Sequence, residues 1–306
     1  MEHEFRQEDQ QRAWKHNSIC QKRHRPTDKI LTCLMYLSAG IAISIFAGIV
    51  GYVFYRGASQ VNWQFLTKAR SALTQTEGIA GNIINTLYIV VLTLLIVTPI
   101  GIGAAIYLNE YAKPGKLVRM IEFTTETLSG IPSIIFGLFG MVFFGITLGL
   151  SYSLLTGALT LSLMVLPLIT RNTQEALKTV PQSYRDGALG MGATKWHMIR
   201  TILLPSAMPG ILTGVILSVG RIVGESAALL FTAGSGYYLP KLGEYGEGLI
   251  QKIMESGGTL TIELYLSMSK AKYDIAFGIA VVLLVIVFAI NILTKVLAKR
   301  FDVNRK

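Results

Sequence analysis

Two oppositely charged residues, Arg221 and Glu225, interrupt an otherwise apolar stretch of the sequence, residues 206–233. Because they stand four residues apart, we predict that they share one face of a helix, about one turn apart. The guanidinium offers a fork of donors that suits an oxyanion, and the carboxylate would moderate its charge so that the anion can leave. Alternatively, the two side chains neutralise each other and hold helices in register. Ionisable residues inside apolar segments are functional candidates by default, which favours an anion path.

A second candidate cation, Arg171, directly follows the apolar stretch 127–170. It either adds a second station to the anion path or anchors a helix end at the membrane surface. Hydroxyl side chains in membrane helices more often bond their own backbone, so they are weaker candidates. The polar residues in this weaker group are Asn85, Ser129, Ser133 and Thr170.

Covalent chemistry is not indicated by the sequence. The two cysteines, Cys20 and Cys33, are too few for a disulfide framework or a metal cluster. The chain has no Gly-x-x-x-x-Gly-Lys-Ser/Thr run that would bind a nucleotide, and no nucleophile or carboxylate pair placed for catalysis. We therefore expect no catalytic residue, no metal and no cofactor here. If ATP drives this protein, a separate chain must bind the ATP and Mg²⁺.

The elements that position these residues are predicted to be membrane helices. Hydrophobic residues make up 51 % of the 306 residues and charged ones only 15 %, with a mean hydropathy of +0.49. Several charge-free windows reach the ~20 residues that cross a bilayer, and they lack the alternation of barrel strands. We predict an all-α polytopic membrane protein with six helices, at residues 30–55, 83–108, 123–147, 150–170, 207–233 and 275–297.

The basic residues set the predicted topology. They concentrate near both termini and in residues 113–119 and 171–200, which are alternate connections of a six-helix path. The positive-inside rule therefore places both termini in the cytoplasm, and the net charge of +10 needs no nucleic acid to explain it. Residues 1–28 and 301–306 are then cytoplasmic tails, and residues 29–300 form the transmembrane domain. The segments 56–82 and 234–273 lie outside, where either could meet a partner.

A break is predicted in the third helix at residues 130–133, where Pro132 removes a backbone donor. Small residues follow it, and we interpret them as packing positions rather than substrate contacts: Gly137, Gly140 and Gly145.

The polar loop 171–205 between two predicted spans has the most specific pattern. Pro181 suits the first turn of a helix that would run to about Met191. Gly192 then supplies a turn, and Thr194 caps a second helix that ends at Pro205. The loop is thus predicted to form a helix-turn-helix ledge at the cytoplasmic surface, presenting small residues to a partner.

The spacing in this loop resembles the EAA motif of ABC-importer permeases. The matching residues are Asp186, Gly187, Ala188, Gly192, Ala193, Ile202, Leu204 and Pro205. The resemblance implies a fold of the type I importer (MetI-like) class and a coupling helix that inserts into a cleft of an ATPase subunit. Asp186 replaces the usual Glu and keeps its charge. Gly187 replaces the usual Ala and weakens the helix by roughly 1 kcal/mol.

A narrower resemblance links the chain to phosphate-specific permeases of the PstA and PstC families, and to PstA more than PstC. It is carried by residues 129–133, 171–177, 205–214 and 220–226; Ala228 departs from it, because proline is common there. The resemblance implies a permease for inorganic phosphate working by alternating access. Its implied partners are a PstB-like ATPase pair, a second, PstC-like permease and an extracytoplasmic PstS-like phosphate-binding protein.

Two other functions remain open at this point. A permease for another oxyanion, such as phosphonate, sulfate or molybdate, would share the coupling loop, and only residues 220–226 favour phosphate. An ion-coupled secondary transporter would predict an internal repeat and no coupling loop, and no repeat is visible.

Overall fold

The computed structural model describes residues 26–71, 76–237, 239, 248 and 251–301. Helices dominate this part of the chain, so the predicted fold class is confirmed. A two-stranded antiparallel hairpin, β1 (Ala69–Ser71) and β2 (Thr76–Ile79), is an addition that the sequence did not reveal. The helices are α1 (Pro26–Gly57), α2 (Trp63–Thr67), α3 (Ala80–Ile106), α4 (Lys116–Gly130), α5 (Ser133–Gly140), α6 (Leu154–Lys178), α7 (Gln182–Gly190), α8 (Lys195–Met198), α9 (Leu204–Gly224), α10 (Ala227–Thr232), α11 (Leu260–Ser269) and α12 (Tyr273–Phe301).

Wider π-helical turns extend three of these helices. One continues α3, another continues α5, and a third joins α8 to α9. Single 3-10 turns lie after α1 and before α11. The π turns span Tyr107–Tyr111, Met141–Thr147 and Ile199–Leu203, and the 3-10 turns span Ala58–Gln60 and Lys252–Met254.

Five of the described helical segments are long and apolar enough to cross a membrane. Their bounds are Lys29–Gln60, Ala80–Tyr111, Leu154–Lys178, Lys195–Gly224 and Tyr273–Val296. A sixth span results if α4, α5 and the π turn after them are counted together. The chain divides into two compact units, Met1–Tyr52 and Val53–Lys306, and all the packing described below lies within the second.

The third predicted span is broken where the sequence indicated. Helix α4 ends at Gly130 and α5 begins at Ser133, with a bend of 101° between the two segments. Ile131 adopts an extended conformation because Pro132 excludes the helical region for the residue before it. The predicted break is therefore confirmed, whereas the predicted start of this span at residue 123 is wrong, because α4 already begins at Lys116.

The fifth predicted span, residues 207–233, has both ends elsewhere. It begins at Lys195, because the π turn Ile199–Leu203 and a proline in the following first turn let the helix continue past Pro205. The expectation that Pro205 ends the ledge is therefore wrong. At the other end, α9 stops at Gly224, and Glu225 is extended with φ −80° and ψ 125°.

Helices α3, α5, α6, α9, α10 and α11 enclose the main hydrophobic core. Small residues let two pairs of these helices pack closely, as predicted: α5 packs on α10 at Gly137 and on α6 at Gly140. A Cβ atom on Gly137 would lie 2.8 Å from the Cα of Ala228, and one on Gly140 would lie 2.0 Å from the Oγ1 of Thr160. A second core packs under the ledge, and a third joins α2 and β2 to α11 and α12.

Candidate functional site

The ledge, residues 182–198, consists of α7, the turn that follows it and α8. Gly192 has a φ of +84°, which an L-residue with a side chain adopts only at a cost. Its N–H donates to the carbonyl of Leu189 over 3.0 Å, and the N–H of Ala193 donates to the carbonyl of Ala188 over 3.1 Å. These two bonds form a Schellman motif, so the glycine is needed to close the helix end. Thr194 caps α8 by accepting from the N–H of His197, as predicted.

The outward surface of the ledge is more apolar than expected. The predicted small residues are present, and a Cβ atom on Gly187 or Gly192 would meet nothing within 4 Å. Large apolar side chains are exposed beside them, including Met191 at 84 %. The others are Tyr184, Leu189 and Trp196. Asp186 is also exposed, and its Oδ1 accepts from the Nε2 of Gln182 over 3.2 Å. Such a surface suits a protein partner.

The inward side of the ledge packs on the rest of the chain. Ala188 is only 2 % exposed and belongs to the second core, together with Leu177 of α6 and Ile199 and Leu203 of the following helix. Ala193, Ile202 and Leu204 are half-buried and pack against the same core, and Pro205 is half-buried too. The motif positions thus divide: Ala188 holds the ledge in place, whereas Asp186, Gly187 and Gly192 face outward.

A partly buried ion pair joins the ledge to the π turn that continues α3, and sequence reasoning missed it. Arg185 Nη2 lies 3.1 Å from Glu110 Oε1, with side chains only 12 % and 6 % exposed. The same guanidinium donates to the carbonyls of Leu177 and Val180 at 2.9 and 2.8 Å. An acid at the end of an apolar span was a visible signal, but nothing in the sequence pairs two residues that are 75 positions apart.

Arg171 and Arg221, predicted separately, line one cavity of about 200 Å³, whose walls also include Thr125, Ser129 and Pro167. Arg171 lies within α6 rather than at its end, because the helix continues to Lys178. Glu126, also in the cavity wall, accepts from its Nη1 over 3.1 Å, and Glu175 accepts from its Nε over 3.4 Å. Arg221 makes no ion pair or hydrogen bond within the residues that the structure describes.

The predicted pairing of Arg221 with Glu225 on one helix face is wrong, because α9 ends between the two residues. The carboxylate of Glu225 instead accepts from the N–H of Ala228 over 3.1 Å at the start of α10. The carbonyl of Glu225 accepts from the hydroxyl of Thr261 over 2.9 Å. Ala228, where proline is common in the PstA and PstC families, therefore matters for the structure, because a proline there would have no N–H to donate to Glu225.

Two of the four weaker polar candidates, Asn85 and Ser129, bond to backbone carbonyls. Asn85 is buried and its amide nitrogen donates to the carbonyls of Gly236 and Gly258, which tie the segment after α10 to α3. Ser129 donates to the carbonyl of Glu126. Thr170 is buried and Ser133 is half-buried.

A charged cluster lies at the opposite end of α3 from the ledge. Arg70 of β1 and the buried Glu263 of α11 form an ion pair of 2.5 Å, and Glu77 of β2 pairs with Lys272. Burial raises the pKa of the Glu263 carboxyl, against the opposing effect of Arg70. The cluster connects the hairpin to α11. The external segment predicted at residues 234–273 lies partly outside the described residues.

The chain is similar to known membrane components of transport systems. Residues 98–303 match the family described as "Binding-protein-dependent transport system inner membrane component". The chain is 40 % identical to the "Probable ABC transporter permease protein YqgI" of Bacillus subtilis, over 68 % of this chain and 71 % of that protein. It is 34 % identical to the "Phosphate transport system permease protein PstA" of Haemophilus influenzae, over 69 % and 75 %.

A solved structure has the same fold at much lower identity. It is that of a bacterial ABC transporter involved in the import of the acidic polysaccharide alginate, with a TM-score of 0.62 at 18 % identity. The match covers 90 % of this chain and 98 % of that one.

Proposed function

The chain belongs to the family of binding-protein-dependent transport system inner membrane components and is a permease of an ABC importer, and we propose that its substrate is inorganic phosphate. The resemblance to PstA-type permeases predicted from the sequence is confirmed by relatives that carry that name. Family membership implies a multi-pass protein of the inner membrane. The specificity for phosphate, the use of ATP as the energy source and the roles of single residues are proposals.

One observation carries the choice of an oxyanion: Arg171 and Arg221, 50 positions apart in the sequence, line the same cavity with Ser129. Arginine presents planar, paired donors that match the oxygens of phosphate. Arg171 is held by two carboxylates, which leaves Arg221 as the cation available to the anion in this conformation. The extended backbone at Glu225 ends α9 one turn beyond Arg221, and we assign Glu225 the role of fixing that end of the path.

The ledge is the proposed docking site for an ATPase subunit. Its exposed apolar side chains, the acidic Asp186 and the open glycine positions Gly187 and Gly192 offer a surface that a protein cleft can enclose. ATP and Mg²⁺ would bind to that partner, since this sequence has no nucleotide-binding motif. Closure of two such subunits would move the ledges and alternate the side to which the path opens.

The complete transporter would contain more than this chain. A second, related permease would supply the other half of the path, two ATPase subunits would dock on the ledges, and an extracytoplasmic phosphate-binding protein would deliver the anion. The distribution of basic residues supports both termini, and therefore the ledge, on the cytoplasmic side.

The test is uptake of labelled phosphate, sulfate and a phosphonate, compared side by side in vesicles that contain the assembled complex. We expect ATP-dependent uptake of phosphate, with the other two anions near the level of vesicles that lack the complex. Uptake of sulfate or the phosphonate in preference to phosphate would overturn the proposed substrate and leave the permease assignment in place.

A further inference from the structure

Four residues fasten the ledge to the end of α3, and together they are called the clasp: Glu110, Tyr111, Arg185 and Lys195. Glu110 Oε1 accepts from Arg185 Nε at 3.3 Å and from Nη2 at 3.1 Å. Lys195, on the far side of the ledge turn, contacts the carbonyl of Glu110, and its ammonium lies 5.0 Å from the ring centroid of Tyr111. The ledge is therefore held on both sides of its turn to the π turn that continues α3.

Arg185 also joins the ledge to a second membrane helix. Its guanidinium donates to the carbonyl of Leu177 in the last turn of α6 and to that of Val180 in the connection between α6 and α7. One side chain on α7 thus satisfies acceptors from two helices, and all the partners of Arg185 are in other segments of the chain. The side chains of Arg185 and Glu110 are only 12 % and 6 % exposed, so water has limited access to either charge.

The two helices that the clasp reaches are themselves in close contact. A Cβ atom on Gly101 of α3 would lie 2.7 Å from the Cγ2 of Ile169 on α6. Packing this tight leaves α3 and α6 little freedom to slide past one another. Arg171, which lines the anion cavity, is two residues beyond Ile169 on the same helix.

We propose that the clasp makes the ledge, α3 and α6 move as one body, so that displacement of the ledge reaches the cavity at Arg171. Glu110 and Arg185 are then positioning residues for transport: they touch neither the anion nor ATP, and they set how far the ledge and the helices move together. This inference rests on the proposed docking of an ATPase on the ledge.

The test measures the amount of anion imported per ATP hydrolysed by the purified, reconstituted complex. Glu110→Gln keeps the shape of the side chain and removes its charge. We expect hydrolysis to continue while import per ATP falls about tenfold, within the range by which single contacts alter coupling between sites. Asp274→Asn, an exposed carboxylate that makes no ion pair in the described part of the chain, is the control and should leave the ratio unchanged.

A double variant separates a coupling role from mere stabilisation. Glu110→Gln combined with Arg185→Met removes both charges of the pair, so neither is left without its partner, and assembly and thermal stability should recover relative to either single variant. The import ratio should stay low. If the ratio recovers together with stability, the clasp is only structural and the inference is overturned.

A milder variant covers the case in which Glu110→Gln does not assemble. The side chain of Lys195 is exposed, so Lys195→Met should assemble, and we expect import per ATP to fall about threefold. An unchanged ratio would contradict the proposal.

A wild-type complex that imports sulfate rather than phosphate overturns the proposed substrate alone, because the import ratio can be measured with that anion. A wild-type complex without ATP-driven import overturns both proposals.

Discussion

Replacing Gly192 tests whether the conformation of the ledge turn matters for coupling. Its φ of +84° lies in the left-handed region, where a residue with a Cβ atom pays about 1–2 kcal/mol. A Cβ atom would meet no other atom within 4 Å, so Gly192→Ala adds this conformational cost without a clash. We expect the Schellman bonds at the end of α7 to open about 5–30 times more often, which is what 1–2 kcal/mol corresponds to.

Hydrogen exchange of the intact complex measures that opening directly, at the amides of Gly192 and Ala193, which make those bonds. Gly192→Asn should exchange more slowly than Gly192→Ala, because asparagine tolerates the left-handed region. Gly187→Ala is the matched control: its Cβ atom is equally unhindered, but it lies inside α7, where alanine is favoured over glycine by about 1 kcal/mol.

Transport follows the same order if the ledge turn couples ATP hydrolysis to import. Phosphate imported per ATP should fall in Gly192→Ala and fall further in Gly192→Phe, whose ring would project from the docking surface, while membrane insertion is retained. Gly187→Ala should transport normally, because alanine is the usual residue at that position of the EAA motif. Faster exchange with an unchanged import ratio would refute the role of the turn in coupling, and unchanged exchange would refute the conformational reasoning itself.

Three further predictions concern other parts of the chain. Arg221→Gln is expected to abolish phosphate uptake while the complex still purifies intact, and surviving uptake would reduce Arg221 to a structural residue. Burial raises the pKa of Glu263 above its ordinary value of 4.5, so its contribution to stability is fully present below pH 4.5 and is lost as the pH rises through the folded-state pKa. Glu263→Gln should therefore reduce the fall in unfolding temperature as the pH rises from 4.5 through that pKa. An unchanged fall would exclude Glu263 as its source. Gly137→Ala places a Cβ atom 2.8 Å from the Cα of Ala228 and should lower the free energy of unfolding by about 1–3 kcal/mol. Gly103→Ala, which has open space around it, should not lower it. Equal unfolding temperatures for the two variants would contradict the packing of α5 on α10.

Local signals were sufficient for much of the fold. Apolar windows predicted the membrane helices, because the bilayer demands length and hydropathy that can be read along the chain. Pro132 predicted the break between α4 and α5, since its effect on Ile131 is local. Gly192 and Thr194 predicted the ledge turn for the same reason: both conformations are set by neighbours within five residues.

The errors concern the ends of helices and the contacts between distant segments. Four-residue spacing suggested that Arg221 and Glu225 share a helix face, but Glu225 leaves the helix, and contacts with Thr261 and Ala228 accompany its extended backbone. Pro205 has a strong local tendency to end a helix, and the π turn before it removes that tendency. The pairing of Glu110 with Arg185 and the meeting of Arg171 with Arg221 depend on how helices pack, which no local pattern encodes.

The most direct test of the central claim is the energy source of phosphate import. Purified complex would be reconstituted into sealed liposomes, with ATP supplied only on the side that carries the ledge. Phosphate should move from the opposite side of the membrane and accumulate on the side that carries the ledge, in proportion to ATP hydrolysed, and ionophores that dissipate ion gradients should not stop it. Accumulation that needs an ion gradient and proceeds without ATP would contradict the claim and identify a secondary transporter instead.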